Sequence, residues 1–98
     1  ALTSEQWQQV GAMIARFHRH GIFHSDLNCH NILRAADGQF WLIDFDKCDV
    51  RIAGSWQQQN LERLLRSLEK ERRLHGGFQW QPEQWPALLQ GYQQQFNG

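Results

Sequence analysis

Two stretches carry the strongest signal in this chain: the octet HSDLNCHN at residues 24–31 and the run FWLIDFD at residues 40–46. The octet is polar and stands directly before a predicted β-hairpin, which spans Asn31 to Ile43 around the turn signal Asp37-Gly38. The apolar start of the second run suits a buried strand. A hairpin folds the chain back on itself, so we expect Asn31 and Asp44 to meet at the same end.

Three residues of these stretches are of the types that phosphoryl transfer needs. Asp26 is a carboxylate that can accept or orient the proton of an attacking hydroxyl. Asn31 and Asp44 offer the hard oxygen ligands that magnesium requires when it bridges phosphates. The pattern H-x-D-x-x-x-x-N is weak alone, because three fixed residues recur by chance. Followed by a hairpin and Asp44, it matches the kinase template, with Asp26 as catalytic base.

A purely structural interpretation of these residues is the main alternative. Asp and Asn side chains cap turns, so Asp26, Asn28 and Asn31 can be loop formers and Asp44 can cap the next turn. This interpretation leaves the apolar runs on either side unexplained. His24 is predicted to support the loop backbone rather than to take part in chemistry.

Two other site hypotheses have little support from the sequence. A zinc site would need histidines at ligand spacing or a cysteine pair, and neither is present in the set His18, His20, His24 and His30. Cys29 lacks an evident activating partner, which argues against a nucleophilic cysteine.

Three amphipathic segments predict helices around the hairpin. The first begins at Thr3, which forms a capping-box pattern with Gln6, and Gly21 is placed to end it. Its apolar stripe consists of Trp7, Val10, Ile14 and Phe17. A polar loop is predicted from Asp44 to about Gly54.

The second helical stripe consists of Leu61, Leu64, Leu65 and Leu68, and Gly76-Gly77 is predicted to end that helix. Its charged face carries Arg63, Arg66, Lys70, Arg72 and Arg73. The last helix is predicted to start near Pro82 and to bury Trp85, Leu88, Leu89, Tyr92 and Phe96. The predicted order is helix, hairpin, helix, helix, an α+β fold that is mainly helical.

Composition excludes several classes of protein. The 98 residues carry no net charge, so no global field draws the chain to nucleic acid. Two cysteines, Cys29 and Cys48, cannot build a disulfide framework, which favours a reducing compartment. No apolar run approaches the roughly 18 to 20 residues that cross a bilayer.

The two motifs, HSDLNCHNIL and WLIDFDKC followed by Arg51, resemble the 3-deoxy-D-manno-octulosonic acid (Kdo) kinases of Gram-negative bacteria. These enzymes form part of the lipopolysaccharide-kinase branch of the protein-kinase-like superfamily. The resemblance is strongest from Gly21 to Arg51. Asn28 is a discriminator, because protein kinases usually have Lys there, and Asp46 replaces the Gly of the D-F-G motif.

The resemblance implies ATP- and Mg²⁺-dependent phosphorylation of the 4-hydroxyl of Kdo on a lipid A precursor. By position in the motif, Asp26 is the catalytic base, Asn31 and Asp44 are the metal ligands, and His24 and Asn28 support the loop. The implied location is the cytoplasmic side of the bacterial inner membrane, with peripheral membrane contact.

One departure from the family pattern is large, because no glycine-rich phosphate loop and no paired strand lysine precede the octet. The expectation is therefore a single C-terminal catalytic lobe over residues 1–98, without the nucleotide-covering lobe and inactive alone. Residues that bind the rest of the nucleotide are not predicted. A lipopolysaccharide-heptose or other small-molecule kinase, and a non-catalytic kinase-like binding module, remain as alternatives.

Overall fold

The structure is a computed structural model that describes residues 2–25, 27–42, 48–50, 54–75 and 80–97. Within these ranges the fold is α+β and mainly helical, as predicted. Its helices are α1 (Ser4–Arg19), α2 (Trp56–Leu74) and α3 (Trp85–Asn97), and its strands are β1 (Ile22–His24), β2 (Ile32–Arg34), β3 (Phe40–Leu42) and β4 (Cys48–Val50). Short 3-10 turns at Cys29–Asn31 and Pro82–Gln84 precede β2 and α3.

The predicted limits of α1 are confirmed by its caps. The Thr3 hydroxyl accepts from the Gln6 backbone N–H at 3.2 Å, and the Gln6 side chain accepts from the Thr3 N–H at 2.8 Å. This reciprocal pair satisfies backbone donors that the first turn of a helix leaves unpaired. At the other end, Gly21 adopts a φ of 74°, which is strained for residues with a Cβ. The chain can therefore turn directly from α1 into β1.

Helices α1 and α3 cross with their backbones in contact. A Cβ atom on Gly11 would lie 1.9 Å from the Leu88 carbonyl oxygen, and one on Gly91 would lie 2.0 Å from the Gln8 carbonyl oxygen. No side chain fits at either distance, so this crossing requires glycine on both helices. The close approach fixes α3 against the helix that leads into the octet.

The predicted hairpin is confirmed. Strands β2 and β3 are antiparallel, and their register pairs Ile32 with Leu42, Leu33 with Trp41 and Arg34 with Phe40. The turn between them is closed by Gly38, whose φ is 85°.

The predicted polar loop from Asp44 to Gly54 is wrong over the residues of β4. This strand pairs antiparallel with β1, and the register joins Ile22 to Val50, Phe23 to Asp49 and His24 to Cys48. Three residues are too few to show the alternation by which a strand is recognised in a sequence. β4 is a strand because it pairs with β1. This pairing places a second two-stranded sheet at the start of the octet.

The core lies between the three helices and the two small sheets. The C-terminal prediction holds, because the turn at Pro82 leads into α3, and Leu88 and Tyr92 are buried while Trp85, Leu89 and Phe96 are partly buried. Gly76-Gly77 lies outside the described residues. The buried apolar residues are Trp7, Val10, Met13, Ile14, Ala15, Leu27, Leu42, Trp56, Leu61, Leu64, Leu68, Trp80, Leu88 and Tyr92. Within the described ranges, no helix combines the length and apolar character that crossing a bilayer requires.

Candidate active site around the 24–31 loop

The loop between β1 and β2 is shaped by its own backbone and by Asn28. Leu27 is 1% exposed and anchors the loop in the core, and its N–H donates to the His24 carbonyl at 3.2 Å. The Asn28 side chain accepts from the His30 N–H at 2.8 Å and caps the 3-10 turn. Asn28 thereby shapes the backbone that carries Asn31.

Asn31 ends that turn and is itself buried, with 7% of its surface exposed. Because Ile32 pairs with Leu42, Asn31 lies at the open end of the hairpin, beside the point where β3 ends. The other two residues predicted for the chemistry, Asp26 and Asp44, lie outside the described residues. The structure therefore describes one of the three residues assigned to catalysis and metal binding, and both of those assigned to loop support.

His24 has a buried side chain, and its backbone carbonyl attaches the loop to α2. Its carbonyl accepts a hydrogen bond of 2.9 Å from the Asn60 side-chain amide, which comes from α2. The oxygen of the same amide lies 2.9 Å from His18 Nε2, and His18 Nδ1 lies 2.7 Å from the Tyr92 hydroxyl. These four residues form a continuous polar chain, which we call the His18–Asn60 network, between α3, α1, α2 and the loop.

The direction of the hydrogen bonds in this network follows from Asn60. Because its NH₂ group donates to the His24 carbonyl, its oxygen faces His18 and must accept from Nε2–H. In the neutral ring, which burial favours by lowering the pKa of His18, Nδ1 is unprotonated and accepts from the Tyr92 hydroxyl. The imidazole in this arrangement is neutral.

Burial of the network agrees with that assignment. It lowers the pKa of His18 below its usual 6.5, against a smaller opposite effect of the hydrogen bond to Asn60. It also raises the pKa of Tyr92 to about 12. The His18 ring contacts the Trp56 ring edge-on, with centroids 4.9 Å apart. His18 is therefore a satisfied polar residue of the core and not a metal ligand.

A second attachment joins the loop to α2 at the 3-10 turn. The Cys29 N–H donates to the Ser67 hydroxyl at 3.0 Å, and that hydroxyl donates to the Leu64 carbonyl at 2.8 Å. Burial raises the pKa of the Cys29 thiol and the nearby Glu71 carboxylate adds to this, while the hydrogen bond to Ser67 opposes it. These shifts favour the neutral thiol and agree with the rejection of Cys29 as a nucleophile.

The residues of α1, α2 and α3 that fix the loop were missed by the sequence prediction. A signal for two of them is present, because polar residues stand at apolar stripe positions. His18 follows Ile14 by four residues, and Asn60 precedes Leu64 by four. A polar side chain at a core position must find a partner, and here the two find each other.

A sequence model of the lipopolysaccharide kinase (Kdo/WaaP) family matches residues 1–92. The chain is 50% identical over 96 residues to a 3-deoxy-D-manno-octulosonic acid kinase of Mannheimia succiniciproducens, covering 94% of the chain and 39% of that protein. It is 45% identical over 95 residues to the kinase of the same name from Vibrio vulnificus, covering 97% and 40%.

A third relative with this name, from Xylella fastidiosa, is 60% identical over 67 residues, which cover 67% of the chain and 27% of that protein. No solved structure matches the chain. The chain spans 39% and 40% of the length of the first two relatives. The resemblance seen in the two motifs thus extends over nearly all of the sequence, and the chain belongs to the lipopolysaccharide kinase (Kdo/WaaP) family.

Proposed function

We propose that the protein containing this chain is a Kdo kinase, which transfers a phosphoryl group from ATP to a hydroxyl of Kdo in a lipopolysaccharide precursor. The observation that carries the proposal is the family match across residues 1–92, together with relatives of at least 45% identity that bear this name. The chain corresponds to the C-terminal, catalytic lobe of a protein-kinase-like fold. The site geometry supports it, because the loop of the octet buries Leu27 and Asn31, is capped by Asn28 and is attached to α2.

The division of chemistry follows the residue types. Asp26 orients the acceptor hydroxyl and takes its proton, which makes the oxygen a better nucleophile. Asn31 and Asp44 hold Mg²⁺, which neutralises charge on the ATP phosphates. The donor set fits that ion, since both ligand atoms are hard oxygens. Asn31 also sits in a buried position that the Asn28 cap fixes.

The exposed face of the hairpin offers an apolar surface that begins two residues after Asn31. Leu33 and Trp41 lie opposite each other in the register, and they are 48% and 56% exposed. Leu33 is two residues from Asn31. An exposed apolar pair close in sequence to a proposed metal ligand suits a nucleotide, whose base is apolar on its faces and whose phosphates bind the metal.

The acceptor is, on this proposal, the 4-hydroxyl of Kdo on a lipid A precursor, and the enzyme works at the cytoplasmic side of the inner membrane. The exposed charged face of α2 is the candidate for peripheral contact, with acidic residues among its basic ones. It carries Arg63, Arg66, Lys70, Arg72 and Arg73. Reversing the charges of Arg72 and Arg73 should weaken binding to anionic vesicles; unchanged binding would exclude this face as the anchor.

The decisive experiment uses the full-length protein with Mg-ATP and, in parallel, Kdo-lipid A and a heptose-containing core as acceptors. Asp26→Asn should retain nucleotide binding while the transfer rate falls by about 10² to 10⁴-fold. Asp44→Asn should weaken both nucleotide binding and transfer, because the metal loses a charged ligand. Transfer to the heptose-containing core alone would show that the acceptor is heptose and not Kdo. No transfer to either would reject the proposal in favour of a binding module.

A further inference from the structure

Three side chains with metal-binding atoms meet where the loop contacts α2. They are Cys29 and His30, adjacent in the 3-10 turn, and Glu71, in the last part of α2. The Cys29 sulfur, a His30 ring nitrogen and a Glu71 carboxylate oxygen all lie within 4.8 Å of one another. We call these residues the Cys29 cluster. In the part of the chain that the structure describes, no other group of three such residues comes together.

The fold holds the members of the cluster in place. Ser67 binds the Cys29 N–H at 3.0 Å and stands one helical turn before Glu71, so the turn and the helix meet in a fixed register. The Glu71 side chain is only 15% exposed, and its two oxygens lie 2.7 Å from His30 Nε2 and 3.4 Å from His75 Nε2. Two imidazoles therefore hold the carboxylate beside the thiol.

The chemistry of this donor set differs from that of the proposed catalytic site. Sulfur and imidazole nitrogen are the ligands that zinc prefers, and a carboxylate completes many zinc sites. Magnesium instead takes oxygen ligands, as Asn31 and Asp44 offer. In a tetrahedral zinc site the ligand atoms are roughly 3 to 4 Å apart, so the site needs a small rearrangement, in which the 2.7 Å contact between His30 and Glu71 opens and any distance longer than this range shortens.

We propose that Cys29, His30 and Glu71 bind one Zn²⁺ ion, which ties the loop of the octet to α2. On binding, zinc displaces the thiol proton of Cys29, which passes to solvent, while the neutral His30 ring binds through one nitrogen and keeps its single proton on the other. The three ligands leave a fourth position for water, on the exposed side where His30 lies. His75 supports the carboxylate through its contact of 3.4 Å.

Without zinc, the same residues form a histidine–carboxylate pair, which is the competing role for the cluster. This pair contributes little to stability, because water reaches it through the His30 side chain, which is 68% exposed. The two roles differ in what they require of Cys29. The pair does not need the sulfur, whereas the zinc site does.

The test is zinc and cobalt titration of the full-length protein, in competition with a chromophoric chelator. The wild-type protein should bind zinc at the cluster, and cobalt should show tetrahedral bands with a thiolate charge-transfer band. Cys29→Ser and Glu71→Gln should each weaken zinc binding at least about tenfold. Cys29→Ser should also remove the charge-transfer band. His20→Gln and Glu69→Gln change exposed residues away from the cluster and should bind as the wild type does.

Two results would overturn the proposal. One is a wild-type protein without the cobalt charge-transfer band, and the other is zinc binding that Cys29→Ser and Glu71→Gln leave unchanged. Circular dichroism shows whether each variant is folded. If a variant does not fold, the cobalt spectrum of the wild-type protein still tests the proposal, because a missing charge-transfer band overturns it. The readout is metal binding, so it is independent of whether the protein phosphorylates Kdo.

Discussion

Replacing Asn60 with leucine should remove one of the two described attachments of the loop to α2 while filling nearly the same volume. The side chain is 2% exposed and makes two hydrogen bonds of 2.9 Å, one to the His24 carbonyl and one from His18 Nε2. The His24 carbonyl keeps its bond from the Leu27 N–H, whereas the His18 N–H loses its acceptor inside the core. The two losses therefore have different costs.

An N–H group left without an acceptor in the core costs about 1 to 3 kcal/mol, and an ordinary hydrogen bond contributes about 0.5 to 1.5 kcal/mol. Together we expect Asn60→Leu to lower the free energy of unfolding by about 2 to 4 kcal/mol. The total free energy of unfolding of a domain of this size is about 5 to 15 kcal/mol, so the variant should still fold. Urea unfolding measures the loss. The transfer rate should fall at least about tenfold, because the start of the loop that carries the site loses its hydrogen bond to α2.

Two further variants separate stability from positioning. Gln59→Leu introduces the same side chain on the exposed face of α2 and should change neither quantity. Tyr92→Phe removes only the donor to His18 Nδ1, so it should lower stability by about 1 kcal/mol and leave the transfer rate near wild type. The reasoning fails if Asn60→Leu costs no more stability than Gln59→Leu. It also fails if Tyr92→Phe slows transfer as strongly as Asn60→Leu.

Three more predictions follow from the same contacts. The free energy of unfolding should be highest above pH 6.5 and fall as the pH drops below it, because the unfolded chain takes up a proton that buried His18 resists. Gly11→Ala should lower stability by about 1 to 3 kcal/mol despite the better helix propensity of alanine, because its Cβ overlaps a carbonyl of α3. Asn31→Ala should slow transfer, and raising the Mg²⁺ concentration should partly restore the rate, because the substitution removes the neutral metal ligand that we propose.

Each of these has a control within the chain. His18→Gln should flatten the dependence of stability on pH, whereas His20→Gln, at an exposed position, should leave it unchanged; equal slopes would contradict the role of His18. Gln9→Ala on the exposed face of α1 should be tolerated where Gly11→Ala is not. For Asn31→Ala, a rate that does not respond to Mg²⁺ would argue against metal binding by this residue.

Much of the architecture could be read from local patterns. The capping box at Thr3, the turn at Asp37-Gly38 and the leucine stripe of α2 are signals within a few residues, and the corresponding elements form. Strand β4 could not be found in this way, because three residues show no period. Its pairing with β1 is a contact between distant parts of the chain.

In the candidate site, too, the local features could be predicted from the sequence and the distant contacts could not. The octet indicates the chemistry because its residues are consecutive; in the structure Asn28 caps the 3-10 turn and Asn31 at its end is buried. The partners that fix the loop are distant in sequence: Asn60 is 36 residues from His24. The spacing of the histidines in the sequence does not reveal the Cys29 cluster either. Its third member, Glu71, lies in α2, 41 residues after His30.

The crossing of α1 and α3 has a consequence for the order in which the protein folds. The contact between Gln8 and Gln90 spans 82 positions, and the one between His18 and Tyr92 spans 74. The entropy cost of closing a loop rises with its length, so these contacts are expected to form after the hairpin and α2. During synthesis, the surface of α1 that packs against α3 stays exposed to solvent until the ribosome has made α3. A nascent chain stalled before α3 therefore exposes the glycine face of α1, a ready target for chaperones or for another unfinished copy.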